Sequence, residues 1–118
     1  MYFIFLLLFS YSLDSTGTYG SSSKAFIFSL NNKEDLGLFK SEIKTADQEY
    51  AIYKDEYFGP TFGRGYDIQI ENYANQHNDS YTEFGNSYLV PGGVIDRRTI
   101  LAGSYEFSPN EVEVFYLA

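Results

Sequence analysis

Apolar and polar positions alternate with a period of two in most patterned segments of this chain, as expected of β-strands that bury one face. Ala25–Leu30 is the first convincing example. Its alternation puts Phe26, Phe28 and Leu30 on one face and Ile27 on the other. We predict that the phenylalanine face lies in the core.

Two more strands are predicted further along, one of them ambiguous. Leu38–Ile43 is a short strand candidate. In Thr45–Tyr57, Asp47 could cap a short helix, but Tyr50–Tyr53 also fits a buried strand. We favour the strand because Gly59–Pro60 soon ends the run.

A glycine-rich turn and a half-exposed strand follow. Gly59–Gly65 is predicted as the turn. In Tyr66–Glu71 the alternation directs Ile68 and Ile70 inward and polar residues, including Asp67, outward.

The rest of the chain is predicted to contain loops and a final strand pair. Asn72–Asn78 and Val90–Arg98 are polar or glycine-bearing loops, and Ser80–Tyr88 is a strand candidate interrupted by a glycine. Ile100–Phe107 and Glu111–Leu117 flank a proline-containing turn, so they are predicted to pair.

Composition supports one mainly β domain. The 118 residues are 44% hydrophobic and 19% aromatic, which suits one core built from pleated surfaces. A formal net charge of -8 disfavours nucleic acid and anionic membranes as partners. The chain has no cysteine, which removes disulfides and thiolate chemistry and favours an intracellular protein.

The apolar run Met1–Leu13 is too short for a membrane-spanning helix, which needs about 20 residues. Three interpretations remain: a secretory signal, a buried strand, or an anomalous start of translation. Secretion would make Asn78 an N-glycosylation acceptor, because Asn-Asp-Ser follows the sequon pattern.

Candidate chemical groups are few. Gly63-Arg64-Gly65 could cradle a phosphate, but it precedes a strand rather than a helix, which favours a structural turn. Asp67, Glu111 and Glu113 form the best carboxylate set for acid–base or metal chemistry, against a structural reading in which they are solvated or accept loop N–H groups.

Other side chains have weaker claims to function. His77 lies in a polar loop without an obvious partner, and Arg97-Arg98 could meet carboxylates beside an apolar rim of Ile95 and Ile100. Tyrosines could form a binding face or lie at the edge of the core; they are Tyr57, Tyr66, Tyr73, Tyr81, Tyr88 and Tyr105.

Four collinear blocks together resemble the TLDc family. They are Lys24–Asn32, Ala51–Tyr53, Gly59–Ile70 and Leu101–Phe107 followed by Glu111–Tyr116. The resemblance extends over Tyr11–Tyr116 and departs at Arg64, where the family usually has glycine, which is compatible with the turn if its φ is negative.

The resemblance implies an antiparallel β-sandwich with at most short helices. TLDc domains begin further upstream, so residues 1–13 are assigned as an anomalous apolar segment and 14–118 as a partial TLDc domain. The residues that carry the family motifs are expected to be structural: Phe26, Phe28, Gly59, Pro60, Phe62, Gly63, Gly65, Asp67, Gly103, Glu111, Glu113 and Phe115.

By resemblance the chain is expected to be a cytoplasmic, non-catalytic interaction module without cofactor or metal. The family is linked to oxidative-stress resistance and to binding the vacuolar proton pump, the V-ATPase, so V-ATPase subunits are the expected partners. Two alternatives remain: a carboxylate-based hydrolase or metal-binding enzyme that uses Asp67, Glu111 and Glu113, and a secreted carbohydrate-binding β-sandwich.

Overall fold

The computed structural model describes the backbone of residues 3–7 and the whole of residues 17–109. Within these ranges the chain forms two antiparallel sheets, so the mainly β prediction is confirmed. The strands are β1 (Phe3–Leu7), β2 (Thr18–Gly20), β3 (Phe26–Asn31), β4 (Phe39–Glu42), β5 (Ile52–Lys54), β6 (Phe58–Phe62), β7 (Ile68–Glu71), β8 (Ser80–Thr82) and β9 (Glu106–Phe107). The smaller sheet has the order β1-β3-β4, and the larger sheet has the order β2-β5-β6-β7-β8-β9.

One hydrophobic core joins the two sheets. Ile27 from the smaller sheet packs in the same cluster as Ile52 and Ile68 from the larger one. Burying each such side chain stabilises the fold by about 1.5–3 kcal/mol. The loops complete this core with Phe84, Tyr88, Ile100 and Leu101.

The inward face of β3 is the opposite of the one predicted. Ile27 is fully buried, Phe26 and Phe28 are half-buried, and Leu30 is exposed. A period of two defines two faces but not which of them meets the second sheet. The outer face suits aromatic rings because they can be covered by long side chains, as Phe26 is by the Lys40 ammonium at 4.3 Å.

The segment Gly59–Gly65, predicted as a turn, is strand up to Phe62 and turn from Gly63 onward. Gly59 and Pro60 lie in β6, whose pairing with β7 is irregular between Phe58 and Thr61. A bulge tolerates Pro60 because proline lacks an N–H for the ladder. Gly59 is needed there because a Cβ would lie 2.8 Å from the backbone oxygen of Ile70.

Both predicted alternatives for Thr45–Tyr57 occur in succession. A 3-10 helix spans Thr45–Tyr50, and β5 follows it at Ile52–Lys54. Asp47 lies in the first helical turn but is not its cap, because Lys44 holds the N-cap position without a side-chain hydrogen bond. A second 3-10 helix spans Ala74–Gln76 in the predicted polar loop.

The predicted strands near the end of the chain are shorter than expected. Ser80–Tyr88 contributes only β8, and Ile100–Phe107 contributes only β9 because Ile100 is buried within successive turns. The predicted partner of that last strand, Glu111–Leu117, lies outside the described residues.

Part of the apolar N-terminal run is a strand. Residues 3–7 form β1, which pairs with β3 along its length. Of the three interpretations of this run, the strand is the one that agrees with the geometry of these five residues. Among the residues that the structure describes, no helix is long and apolar enough to cross a membrane.

Candidate functional site

Asp67 is the centre of a buried polar site in which its carboxylate accepts three backbone N–H groups. It precedes β7, and its carboxylate is fully buried rather than outward-facing as predicted. Its Oδ1 accepts the Ser87 N–H at 2.8 Å, and its Oδ2 accepts the N–H groups of Gly85 at 3.0 Å and Tyr88 at 3.1 Å. The loop that follows β8 therefore wraps around this one side chain.

The same loop is also held from its outer side. Lys44 donates from Nζ to the Gly85 carbonyl at 2.8 Å and to the Asn86 carbonyl at 3.2 Å. The Ser87 hydroxyl accepts the Arg64 N–H at 2.8 Å. The turn before β7 and the loop after β8 are therefore locked together.

Glycine is required at position 63 of this turn. Its φ is +85°, and a Cβ there would lie 2.9 Å from Cγ of Asp67 and still closer to Oδ1. Arg64 is not among the residues with positive φ, so its departure from the family pattern leaves the turn intact, as predicted.

Tyr88 connects this site to the core. It is fully buried, and its hydroxyl donates to the Ala51 carbonyl at 2.8 Å. Burial raises the pKa of the Tyr88 phenol, with a further contribution from the negative charge of Asp67. The phenol therefore remains neutral and serves as a hydrogen-bond donor.

The chemistry available to Asp67 is limited by these contacts. Burial raises the pKa of Asp67 from 3.8 to about 6, opposed by the hydrogen bonds from Ser87, Tyr88 and Gly85. At neutral pH the group is mostly ionised, with both oxygens occupied by backbone donors. This is the structural reading considered for Asp67, in which a loop supplies its N–H partners.

Among the described residues, Asp67 belongs to no group of acidic side chains that could hold a metal ion. Within residues 17–109, no group of three His, Cys, Asp or Glu side chains could hold a metal ion. Glu111 and Glu113 lie outside the described residues, so their grouping with Asp67 stays a prediction.

Most of strand β6, the glycine turn and Asp67 lie within Gly59–Ile70, one of the four blocks that resemble the TLDc family. A family model described as the TLDc domain matches residues 5–118. The chain belongs to the TLDc family. Neither a curated protein nor a solved structure matches it.

The motif residues of this TLDc domain fall into distinct places. Phe62 is buried in β6, Gly63 and Gly65 form the turn beside Asp67, and Gly103 ends another turn with a φ of +92°. Gly65 opens no helix, so the turn interpretation fits better than a phosphate cradle. Phe115 lies outside the described residues.

The remaining polar candidates of the TLDc domain are peripheral. His77 donates its Nε2–H to the Asn72 carbonyl at 2.9 Å. Arg98 pairs with Glu83 at 3.1 Å. The apolar rim predicted beside the arginines is wrong in part, because Ile100 is fully buried.

The tyrosines differ widely in exposure. Tyr57 and Tyr73 are exposed, whereas Tyr88 is buried. Tyr81 and Tyr105 pack against each other with ring centroids 5.7 Å apart. A separate aromatic cluster covers the β2–β5–β6 end of the larger sheet and comprises Tyr19, Tyr50, Tyr53, Phe58 and Tyr66.

An apolar surface that sequence reasoning missed lies at the edge of the smaller sheet. Two loops, residues 32–38 and 89–96, carry exposed large hydrophobic side chains, including Leu38 at 61% and Ile95 at 91% exposure. Beside them is a groove of about 260 Å³, lined by Phe39–Glu42 and Leu89–Pro91, which we call the β4 groove. Of this surface the sequence indicates only Ile95, as part of an apolar rim beside Arg97-Arg98, and it places Leu38 in a predicted strand.

Proposed function

We propose that this TLDc chain is a non-catalytic protein-interaction module. The observation that carries the proposal is the exposed apolar surface on the loops 32–38 and 89–96, formed by Leu36, Leu38, Leu89, Val90 and Ile95. Large exposed apolar patches on soluble domains mark interaction surfaces.

The two loops are braced together, which suits a binding surface. Glu34 accepts the N–H of Ile95 at 2.7 Å and that of Asp96 at 2.9 Å, one with each carboxylate oxygen. Asn32 anchors the other end of its loop through Gly37 and Leu36. A surface ordered before binding loses less conformational entropy when a partner docks.

The buried state of Asp67 supports the non-catalytic part of the proposal. General acid–base catalysis needs a group within hydrogen-bond reach of the substrate. Asp67 is fully buried, and backbone N–H groups occupy both of its oxygens.

Family membership supports a finer proposal about the partner. The TLDc resemblance links such domains to the V-ATPase and to oxidative-stress resistance, so we propose a cytoplasmic chain that binds V-ATPase peripheral subunits. The apolar loop surface is the part of the described chain best suited to this contact.

Pull-down with purified V-ATPase peripheral subunits tests the proposal. We expect the wild-type chain to retain them and the double variant Leu38→Asp, Ile95→Asp to lose them, because both exposed side chains would become charged. Tyr57→Ser, which removes an exposed ring elsewhere, is the matched control. Equal retention by the double variant and the control would contradict the assignment of the surface.

A second candidate, a secreted carbohydrate-binding sandwich, is favoured by the aromatic cluster. Tyr19 lies 5.0 Å from Tyr53 and 5.1 Å from Tyr50 between ring centroids, and the Arg64 guanidinium lies 4.7 Å from the centroid of the Tyr50 ring. Aromatic rings with hydroxyl groups suit contact with sugars. The intact mass of the native protein tests this reading, which requires a cleaved leader and a glycan on the exposed Asn78.

A further inference from the structure

We propose that the β4 groove binds an extended peptide segment of a partner protein, with the segment pairing to the edge of β4. This inference rests on the proposed interaction function and names the site and the conformation of the partner. The inference depends on where residues 87–91, which run beside β4, stop pairing with it.

The backbone of β4 is partly paired on its outer edge. Lys44 donates its N–H to the Ser87 carbonyl at 2.8 Å, and Leu89 donates to the Glu42 carbonyl at 2.9 Å. On the other edge, Ile43 donates to Ala25 at 3.2 Å. Even-numbered residues of this stretch therefore direct their backbone groups away from β3.

Lys40 is the next residue whose backbone faces outward. If the outer pairing continued in register from Ile43 and Tyr88, Pro91 would lie opposite Lys40. Proline has no N–H to donate, and no hydrogen bond joins Pro91 to Lys40. Among the described residues, the outward N–H and carbonyl of Lys40 therefore have no backbone partner.

The walls of the groove combine apolar side chains with one buried polar atom. Phe39, Leu89, Val90 and Pro91 line it. Ser41 also lines it, and its buried hydroxyl has no hydrogen-bond partner within the described residues.

These features select an extended peptide. A backbone donor and acceptor that no described residue engages, beside an apolar groove, match strand addition, in which main-chain bonds give affinity and alternate side chains fill the groove. The Lys40 and Glu42 side chains lie exposed on the outer face, where they form an ion pair at 3.8 Å, and an exposed pair of this kind is weak enough for a peptide carboxylate to replace. The best segment therefore has an acidic residue opposite Lys40 and apolar residues on either side of it.

Titration of the ¹⁵N-labelled chain with the peptide Ser-Thr-Leu-Glu-Leu-Thr-Ser tests the proposal by NMR. We expect saturable shifts centred on the amides of Lys40 and Leu89. Methylation of the peptide nitrogen of the glutamate should weaken binding at least tenfold, because it removes the main-chain donor and keeps every side chain.

Two variants separate edge pairing from groove filling. Lys40→Pro removes the outward N–H, and Val90→Lys charges the groove wall; each should weaken binding at least tenfold in a chain whose spectrum shows that it is folded. Tyr57→Ser should bind as the wild type does. Shifts centred elsewhere, no binding, or equal binding of the methylated peptide would overturn the proposal.

Analytical ultracentrifugation, which reports the oligomeric state, and the pull-down distinguish a partner peptide from a second copy of the chain and from V-ATPase subunits. If the chain dimerises and Lys40→Pro abolishes the dimer, the occupant is a second copy and the partner-peptide proposal is overturned. Peptide binding without retention of V-ATPase subunits would reject that partner and support the groove. Retention that survives both groove variants would reject the groove as the docking site and leave the interaction function standing.

Discussion

Replacing Gly63 by alanine is the sharpest test of the Asp67 site. The new methyl group would lie 2.9 Å from Cγ of Asp67 and 3.2 Å from Cβ of Ser87. Carbon atoms in contact normally lie about 3.5–4.0 Å apart. Either the buried carboxylate or the turn must therefore move.

The expected loss of stability has two sources. The left-handed backbone at Gly63 costs a residue with a side chain about 1–2 kcal/mol. Hydrogen bonds to charged groups contribute about 1.5–3 kcal/mol each, so losing two of the three on Asp67 adds about 3–6 kcal/mol. The sum of about 4–8 kcal/mol is comparable with the whole stability of a chain of this length, about 6–18 kcal/mol.

Two other glycines provide matched controls. Gly37 has a φ of +76° but nothing within 4 Å of an added Cβ, so Gly37→Ala isolates the backbone cost of about 1–2 kcal/mol. Gly92 has open space and no positive φ, so Gly92→Ala should lie within about 1 kcal/mol of wild type.

Urea unfolding followed by circular dichroism measures all three variants. We expect the loss of stability to increase from Gly92→Ala through Gly37→Ala to Gly63→Ala, with a constant denaturant slope. If Gly63→Ala were no more destabilised than Gly37→Ala, the tight contact with Asp67 would not constrain the fold.

Three further outcomes follow from the same contacts. Because burial raises the pKa of Asp67 to about 6 from 3.8, its contribution to stability is present below pH 3.8 and lost as the pH rises through 6. Urea unfolding should show wild type losing about 2 kcal/mol relative to Asp67→Asn between pH 4 and pH 7. Tyr88→Phe removes the bond to Ala51 and should lower the free energy of unfolding by about 1 kcal/mol. Glu34→Gln should speed amide exchange at Ile95 or Asp96, with little change in global unfolding, because the two N–H groups bond different carboxylate oxygens and glutamine replaces one of these oxygens with an NH2 donor.

The sequence predicted the fold class and several strands because alternation is local. Leu38–Ile43 and Tyr66–Glu71 both contain strands where the pattern placed them. The pattern could not decide which face of β3 is buried, since that depends on the second sheet. Ile27, not Phe28, meets that sheet.

A local pattern also could not predict that Asp67 is buried, because its partners are distant in the sequence. Alternation from Ile68 assigned Asp67 to the outer face, but its partners Gly85, Ser87 and Tyr88 lie 18 to 21 residues further along the chain. Backbone donors carry no residue-type signal. Only Gly63, in a glycine-punctuated turn before a strand, gave a visible indication of close packing.

The Asp67 site and the β4 groove are mechanically connected, because one loop forms part of both. Tyr88 donates its N–H to Asp67, and Leu89, the next residue, donates to Glu42 at the groove. Displacing the carboxylate should therefore loosen Leu89 before it loosens the core. In Gly63→Ala, under conditions where the chain remains folded, we expect hydrogen exchange of the Leu89 amide to accelerate far more than that of Ile27. Equal acceleration at both amides would mean that Asp67 supports the fold as a whole and does not position the groove wall.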